Sequence, residues 1–253
     1  MPALRPFVKT LWASDEPSRA PGAAQRERVL PTGSMHLVIL LSERPLRLFD
    51  GVDDPHGRTI AGGVLGGARA APYVRDISRP ARSVGVQFHP GAAQLILGIP
   101  ADELADRHTP LADLWGSALN EARERLLATR GLETRLELFE ALLAARLPRV
   151  RGLHPAVAQA LARFAETDDV REVVRESGYS HRRFIALFRG AVGLAPKLYC
   201  RVRRFQRALE HLAAEPSSSL AELALAAGYS DQPHLNRDFS ELAGVSPGRY
   251  RAL

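Results

Sequence analysis

Two stretches near the end of the chain share one plan. "GYSHRRFIALFRGAVGLAPKLY" (Gly178–Tyr199) and "GYSDQPHLNRDFSELAGVSPGRY" (Gly228–Tyr250) both open Gly-Tyr-Ser. Both then run Phe, four residues, Gly, two residues, Pro, two residues, Tyr. The offset between them is 50 residues from Val170/Leu220 through Ser180/Ser230. It is 51 at Phe188/Phe239, Gly193/Gly244, Pro196/Pro247 and Tyr199/Tyr250. One residue is added in the region of the second helix, and the rest stays in register. A lone short helix followed by glycine occurs in any helical bundle. A unit repeated with eight shared landmarks demands a shared architecture.

Each unit has the punctuation of a helix pair. Val170, Val173 and Val174 fall at i, i+3, i+4, and Leu220, Leu223 and Ala224 do the same in the second copy. Gly178 and Gly228 follow, where a turn needs a backbone conformation that a β-carbon disfavours. Ser180 and Ser230 are placed to cap the next helices, and Pro233 suits a first helical turn. Short helix, turn, second helix is the helix-turn-helix plan. The units are expected at about 169–192 and 219–243. Between them, 196–214 reads as one helix with a stripe of Leu198, Val202, Phe205, Leu209 and Leu212. At 1.5 Å per residue it spans about 28 Å.

Charge points to the partner. The net charge is +6 with a pI near 10.1, and lysine occurs only as Lys9 and Lys197. From Ser177 to Leu209 there is no Asp or Glu, while Arg182, Arg183, Arg189, Lys197, Arg201, Arg203, Arg204 and Arg207 all lie within. Solvated helix faces usually interleave both signs. A single-sign stretch favours a polyanion.

The tail, and above all "GYSDQPHLNRDFSELAGVSPGRYR", resembles the AraC-type (AraC/XylS) transcription regulators over about 155–253. The resemblance implies two helix-turn-helix units joined rigidly by the 196–214 helix, reading successive major grooves of double-stranded DNA roughly 34 Å apart. It places base-facing side chains at Gln232, His234, Asn236 and Arg237, with Leu235 and Phe239 turned to the core. The chemistry agrees: Gln and Asn pair bidentately with adenine, and Arg with guanine. For His234 a phosphate contact is an equal alternative. In the first unit the matching positions are Arg182, Ile185 and Ala186, a departure from the family's habit, because Ile185 and Ala186 cannot hydrogen-bond a base edge. Arg182 is the base-contact candidate there. Arg183 and Arg189, with Ser180 and Ser230 at the helix starts, are phosphate-contact candidates. The first unit is expected to supply affinity and the second specificity.

The other half reads differently, and an α+β fold follows. Residues 28–98 look β-rich: an apolar run at Leu37–Leu41, "LRLF" at 46–49, "TIAGGVLGG", "YVRDI", and the alternation Val84, Val86, Phe88. "HPGAAQLILGI" then turns helical, with Pro90 suited to a first turn. "IPADELADRHTPLADLWG" reads as short helical pieces broken at Pro110. Longer helices follow, one with a stripe of Leu132, Leu136, Phe139, Leu143 and Leu147. The expected organisation is a β-rich domain at 1–150 with helices over 100–147, a boundary at "PRVRGLHP" (148–155), and an all-α DNA-binding domain at 155–253. "VLPTGSMHLVILL" and "VGVQFHPGAAQLILGIPADELADRHTPLADLWG" resemble an uncharacterised domain found ahead of such units in some regulators. A small β-rich domain in that place suggests an effector sensor, a dimerisation unit, or both. Polar candidates for effector binding are His36, Tyr73, Gln87 and His89. Each has a plainer reading: His36 as a satisfied core residue, His89 as a helix cap.

No enzyme signature appears. His36, His56, His89 and His108 are too scattered for a metal pattern. "AGGVLGGA" lacks the Lys-Ser/Thr ending of a phosphate loop, and "PTGSMH" has the wrong frame for a nucleophile elbow. Neither metal nor cofactor is expected. Cys200, the single cysteine, sits on an apolar helix and reads as a buried structural thiol. No apolar run approaches the roughly 18 residues of a membrane span. The N-terminus lacks the apolar core of a signal peptide, so a cytoplasmic protein is expected. Three readings stay open: a ligand-responsive transcription factor, a constitutive DNA binder whose N-terminal half only dimerises, and an enzyme domain fused to a DNA-binding domain. The candidate partners are double-stranded DNA, a small-molecule effector, a second copy of the chain and RNA polymerase.

Overall fold

A computed structural model describes residues 4–15, 25–78, 82–147 and 152–252. Residues 148–151 of the expected boundary, and 1–3 and 16–24 of the N-terminal stretch, lie outside the described residues. Among the described residues nine strands form two antiparallel sheets. The five-stranded sheet has the order β1 (Val8–Ser14), β8 (Ser83–Phe88), β3 (His36–Leu40), β6 (Gly63–Gly66), β9 (His108–Pro110). The four-stranded sheet runs β2 (Arg26–Val29), β7 (Tyr73–Asp76), β4 (Leu46–Phe49), β5 (Arg58–Ile60).

Side chains alternate across a strand, so the central strands of the larger sheet serve two interiors. Val38 and Val64 face the smaller sheet, where they meet Leu46, Leu48, Ile60 and Tyr73. Leu37, Ile39, Leu65, Val84, Val86 and Phe88 face the helices. Burial on both faces explains why Leu37–Leu41 reads as an unbroken apolar run.

Three strands go beyond the sequence reading. β1 and β2 are two. The third is β9, so the stretch before Pro110 is a short strand and not a helical piece. Pro110 is tolerated there because β9 is an edge strand, whose missing N–H breaks no ladder. Helix α1 (Ala92–Leu97) starts after Gly91, which holds φ 83°, so Pro90 precedes the first turn and does not sit within it. Helices α2 (Leu111–Trp115), α3 (Ser117–Ala128) and α4 (Leu132–Ala144) follow. In α4 the buried side is Arg135, Phe139 and Leu143, while Leu132 is 46% exposed. Arg135 takes the place expected for leucine because it is fully used: it pairs with Asp15 at 2.7 Å and donates to the carbonyls of Leu126 and Thr129. Arg135 and Arg82 together hold the Asp15 carboxyl below its usual range.

The second half comprises α5 (Pro155–Glu166), α6 (Val170–Glu176), α7 (His181–Val192), α8 (Pro196–Ala214), α9 (Leu220–Ala227), α10 (Gln232–Ala243) and α11 (Pro247–Arg251). One continuous apolar core links Val86 and Phe88 of the sheet with Phe164, Phe188, Phe205 and Phe239 of the helices. The halves also meet through Gln206 of α8, which donates to the Pro31 carbonyl at 2.7 Å. A β-carbon at Gly193, the cap that ends α7, would lie 3.1 Å from Ala68 Cβ. At Gly244, which ends α10, it would lie 3.6 Å from Arg28 Cζ and 3.7 Å from Pro72 Cγ.

Candidate nucleic-acid interface

The two units are built alike. In the first, α6 is capped by Asp169, Gly178 turns with φ 71°, and the Ser180 hydroxyl accepts from Arg183 N at 3.4 Å to open α7. In the second, Ser219 and Glu222 form a reciprocal capping box on α9, and Gly228 turns with φ 86°. The cap of α10 is not Ser230 but Asp231, whose carboxylate accepts from His234 N at 2.7 Å. Asp231 therefore matches Ser180, and the added residue is Ser230, which lies in the turn. Helices α7 and α10 have the same length, 12 residues. Aligned from their first residues, His181 matches Gln232, Arg182 matches Pro233, Ile185 matches Asn236 and Ala186 matches Arg237. His181, exposed at the head of α7, was not among the sequence candidates; the placement of the extra residue is what reveals it.

Both helices bury one side. Phe184, Phe188, Ala191 and Val192 of α7 enter the core, as do Leu235, Asp238, Phe239, Leu242 and Ala243 of α10. The outer side of α7 exposes Arg182, Arg183, Ala186 and Arg189, with Ile185 half-buried. Arg182, Ala186 and Arg189 fall at i, i+4, i+7 and share one stripe. Arg183 also lies over the Tyr179 ring at 5.1 Å. The outer side of α10 exposes Gln232, Pro233 and Arg237. His234 is half-buried and oriented: Ser230 Oγ is 3.1 Å from its Nδ1, and the Tyr229 ring meets it edge-on at 5.1 Å. Asn236 is half-buried, and its Oδ1 is buried without a partner among the described residues. Ser180 and Ser230 are both exposed at the helix starts. Beside Ser230 stands the Asp231 carboxylate, which occupies the α10 N-terminus with negative charge.

Part of the acid-free window is neutralised from outside itself. Arg201 pairs with Asp238 at 2.8 Å and with Glu241; Arg207 pairs with Asp168 at 2.8 Å, and Arg204 lies 3.9 Å from the same carboxylate. These arginines on α8 brace the domain. The exposed cations of the window are Arg182, Arg183, Arg189 and Lys197. Cys200 is buried on the same helix, and burial pushes its thiol up to about 12.

The sequence candidates in the β half separate into two groups. His36 and Tyr73 come together, their rings stacked with centroids 6.4 Å apart. His108 joins them, 6.3 Å from His36 and 4.4 Å from Tyr73. Gln87 pairs directly across the strands with His36. His89 is exposed, and its N–H donates to the Phe7 carbonyl, outside this group. Burial is the chief cause that lowers His36 to about 4 and His108 to about 2, with Arg69 adding to both, so both rings are neutral near pH 7. Among the described residues no group of three or more His, Cys, Asp or Glu could hold a metal ion, and no helix is long and apolar enough to cross a membrane.

Comparison with known proteins follows the same division. Residues 157–253 match a family described as a helix-turn-helix domain, and residues 1–110 match a domain of unknown function, DUF6597. A putative HTH-type transcriptional regulator of Escherichia coli (strain K12), YkgA, is 34% identical over 84 residues, which is 32% of this chain. The match spans about a third, 34%, of that relative's length. ToxT from Vibrio cholerae shares the fold: the match covers 97% of this chain and 98% of ToxT with a TM-score of 0.51 at 8% identity. The DNA-binding domain of AdpA, solved in complex with a target DNA, is 33% identical across 38% of this chain and 86% of its own, with a TM-score of 0.33.

Proposed function

We propose that this chain, which carries an AraC-type helix-turn-helix domain at 157–253 behind the domain of unknown function at 1–110, is a sequence-specific transcription regulator that binds double-stranded DNA through both of its units. In this reading 155–253 binds DNA, 1–150 senses a small molecule and dimerises, and the protein acts in the cytoplasm as a regulator and not as an enzyme. The observation that carries the reading is the matched pair α7 and α10. Two capped helices of equal length each turn one side to the core and one side outward, and both rest on α8. Arg207 ties that support together, since it donates to Asp168 ahead of α6 and, at 3.2 Å, to the Ala227 carbonyl at the end of α9.

The division of labour follows from what each outer face offers. On α10, Gln232 and Arg237 carry hydrogen-bonding groups suited to base edges, with His234 and Asn236 beside them. On α7, Arg182, Arg183 and Arg189 supply charge for phosphates, and in this reading Arg182 also enters the groove. The carboxylate of Asp231 discourages a phosphate at the head of α10, which leaves the phosphate contacts mainly to α7. Selection of bound DNA from a random pool with the full chain tests the reading. The expected motif has two parts about one helical turn, 10–11 bp, apart. Enrichment of no motif would overturn it.

A further inference from the structure

The larger sheet carries one polar row on the face turned toward the smaller sheet. Gln87 pairs with His36, His36 with Gly66, and Gly66 with His108, so these positions share a face. The next row, Gly85, Val38, Val64 and Pro110, is apolar, as a sheet-to-sheet interior normally is. Tyr73 of the smaller sheet covers the polar row: its hydroxyl is 3.4 Å from His36 Nε2, and its ring meets His108 edge-on. Arg69, in the loop after β6, lies over the Tyr73 ring at 4.8 Å. Arg69 and Arg58 both reach His108 Nδ1, at 3.4 and 3.1 Å.

The hydrogen-bond inventory of this cluster does not close. A guanidinium only donates, so His108 Nδ1 accepts and the ring proton sits on Nε2. That Nε2–H is buried with no partner among the described residues, and so is the Nε–H of Arg69. Arg69 is half-buried and forms no ion pair among the described residues; the one carboxylate near Arg58, Asp50, lies 4.0 Å away and is 92% exposed. Buried donors are nearly always satisfied, and a guanidinium drawn out of water normally meets a carboxylate. Unused donors on His108 and Arg69, with two cations aimed at one neutral imidazole, describe a place that lacks a negatively charged acceptor. It is reachable: Arg58 is exposed, and His36, Gln87 and Arg69 are half-buried. The His36 ring lies directly over Gly66, where a β-carbon would stand 2.1 Å from His36 Cε1.

We infer that the space between the two sheets beside Arg69, Arg58, His108 and Tyr73 binds a small organic anion, its carboxylate or phosphate held by the two guanidiniums. The inference rests on the reading of the N-terminal half as an effector domain and gives its ligand a chemical class.

The test uses the full chain with acetate, benzoate, inorganic phosphate and the neutral benzamide, followed by calorimetric titration and thermal melting. Benzoate or phosphate at saturation is expected to raise Tm by about 2–4 °C, and benzamide not at all. The contrast between benzoate and phosphate identifies which head group the site takes. Arg69→Gln is expected to weaken the binding at least tenfold, while Arg44→Gln on the surface leaves it unchanged. If Arg69→Gln melts poorly, Gly66→Ala serves instead, since its methyl must displace the His36 ring. In the wild type, the His108 Nε2–H proton resonance is expected to move downfield on adding the anion. Equal binding of benzamide, unchanged affinity in both variants, or no binding by any of the anions overturns the inference. A two-part DNA motif obtained alongside such a failure would leave the regulator reading intact; a missing motif would remove that reading whatever the anions do.

Discussion

Arg207 donates from Nη2 to Asp168 at 2.8 Å and so fastens the connecting helix to the turn that opens the first unit. Its Nε holds the Ala227 carbonyl of the second unit at 3.2 Å. One side chain thus sets the two units against each other. Arg207→Ala is expected to reduce stability by about 1–2 kcal/mol, at the low end because the guanidinium is partly exposed. It should also relax the spacing between the two parts of the DNA motif. Urea unfolding and binding to sites with one base pair inserted or deleted check both effects.

Specificity and affinity should come apart by mutation. Arg237→Ala is expected to remove about 1–3 kcal/mol from the best site and little from random DNA. Arg189→Ala should weaken all DNA alike and lower the salt slope by about 1. Equal loss of site preference in the two variants would contradict the assigned roles. Fluorescence anisotropy at several salt concentrations reads both quantities.

Asp231 caps α10, so Asp231→Ala is expected to cost about 1 kcal/mol. Asp231→Ser keeps an acceptor at the same place and should lose only a few tenths of that. Because the added residue, Ser230, lies in the turn, deleting it should change how α10 is presented and abolish site preference. Thermal melting and the selected motif separate the two consequences.

The histidines between the sheets give a definite acid response. Unfolded, each has a pKa near 6.5; folded, His36 lies at about 4 and His108 at about 2. The unfolded chain therefore binds protons that the folded chain refuses. The stability they contribute is fully present above pH 6.5 and falls as pH drops toward 4, more slowly below that as His36 itself titrates. The groups facing them are Arg58, Arg69, Arg75 and Tyr73. Replacing both histidines with Gln should flatten the fall, as measured by chemical denaturation from pH 7 to pH 4.

Cys200 is buried with its thiol raised to about 12. Alkylation by iodoacetamide at pH 8 is expected to be negligible in the folded chain and complete in urea. Fast labelling without denaturant would show that α8 leaves its packed position.

The helical half was legible in the sequence because its signals are local. Gly178, Gly228, Ser180 and the boundaries of the 196–214 helix lie where spacing and capping put them. What escaped depends on distant partners. Val8 to Ser14 alternates weakly, and it becomes a strand only because β8 offers an edge. The arginines of α8 look like a bare positive surface until the fold brings Asp168, Asp238 and Glu241 to them. His108, 72 residues after His36 in the chain, meets it only through the register of β6. The cap on α10 was missed for the opposite reason: Ser230 and Asp231 are both good caps, and sequence alone does not choose between adjacent ones.

Gly193 and Gly244 end the two outward-facing helices at equivalent places, and both abut the β half, one at Ala68 and the other at Arg28 and Pro72. The tail is therefore poor material for modular grafting. Fused to a foreign sensor it would stand on two bare footings, its reading heads free to drift out of pitch. A working chimera would have to rebuild both footings, and a linker of the right length would not substitute for them.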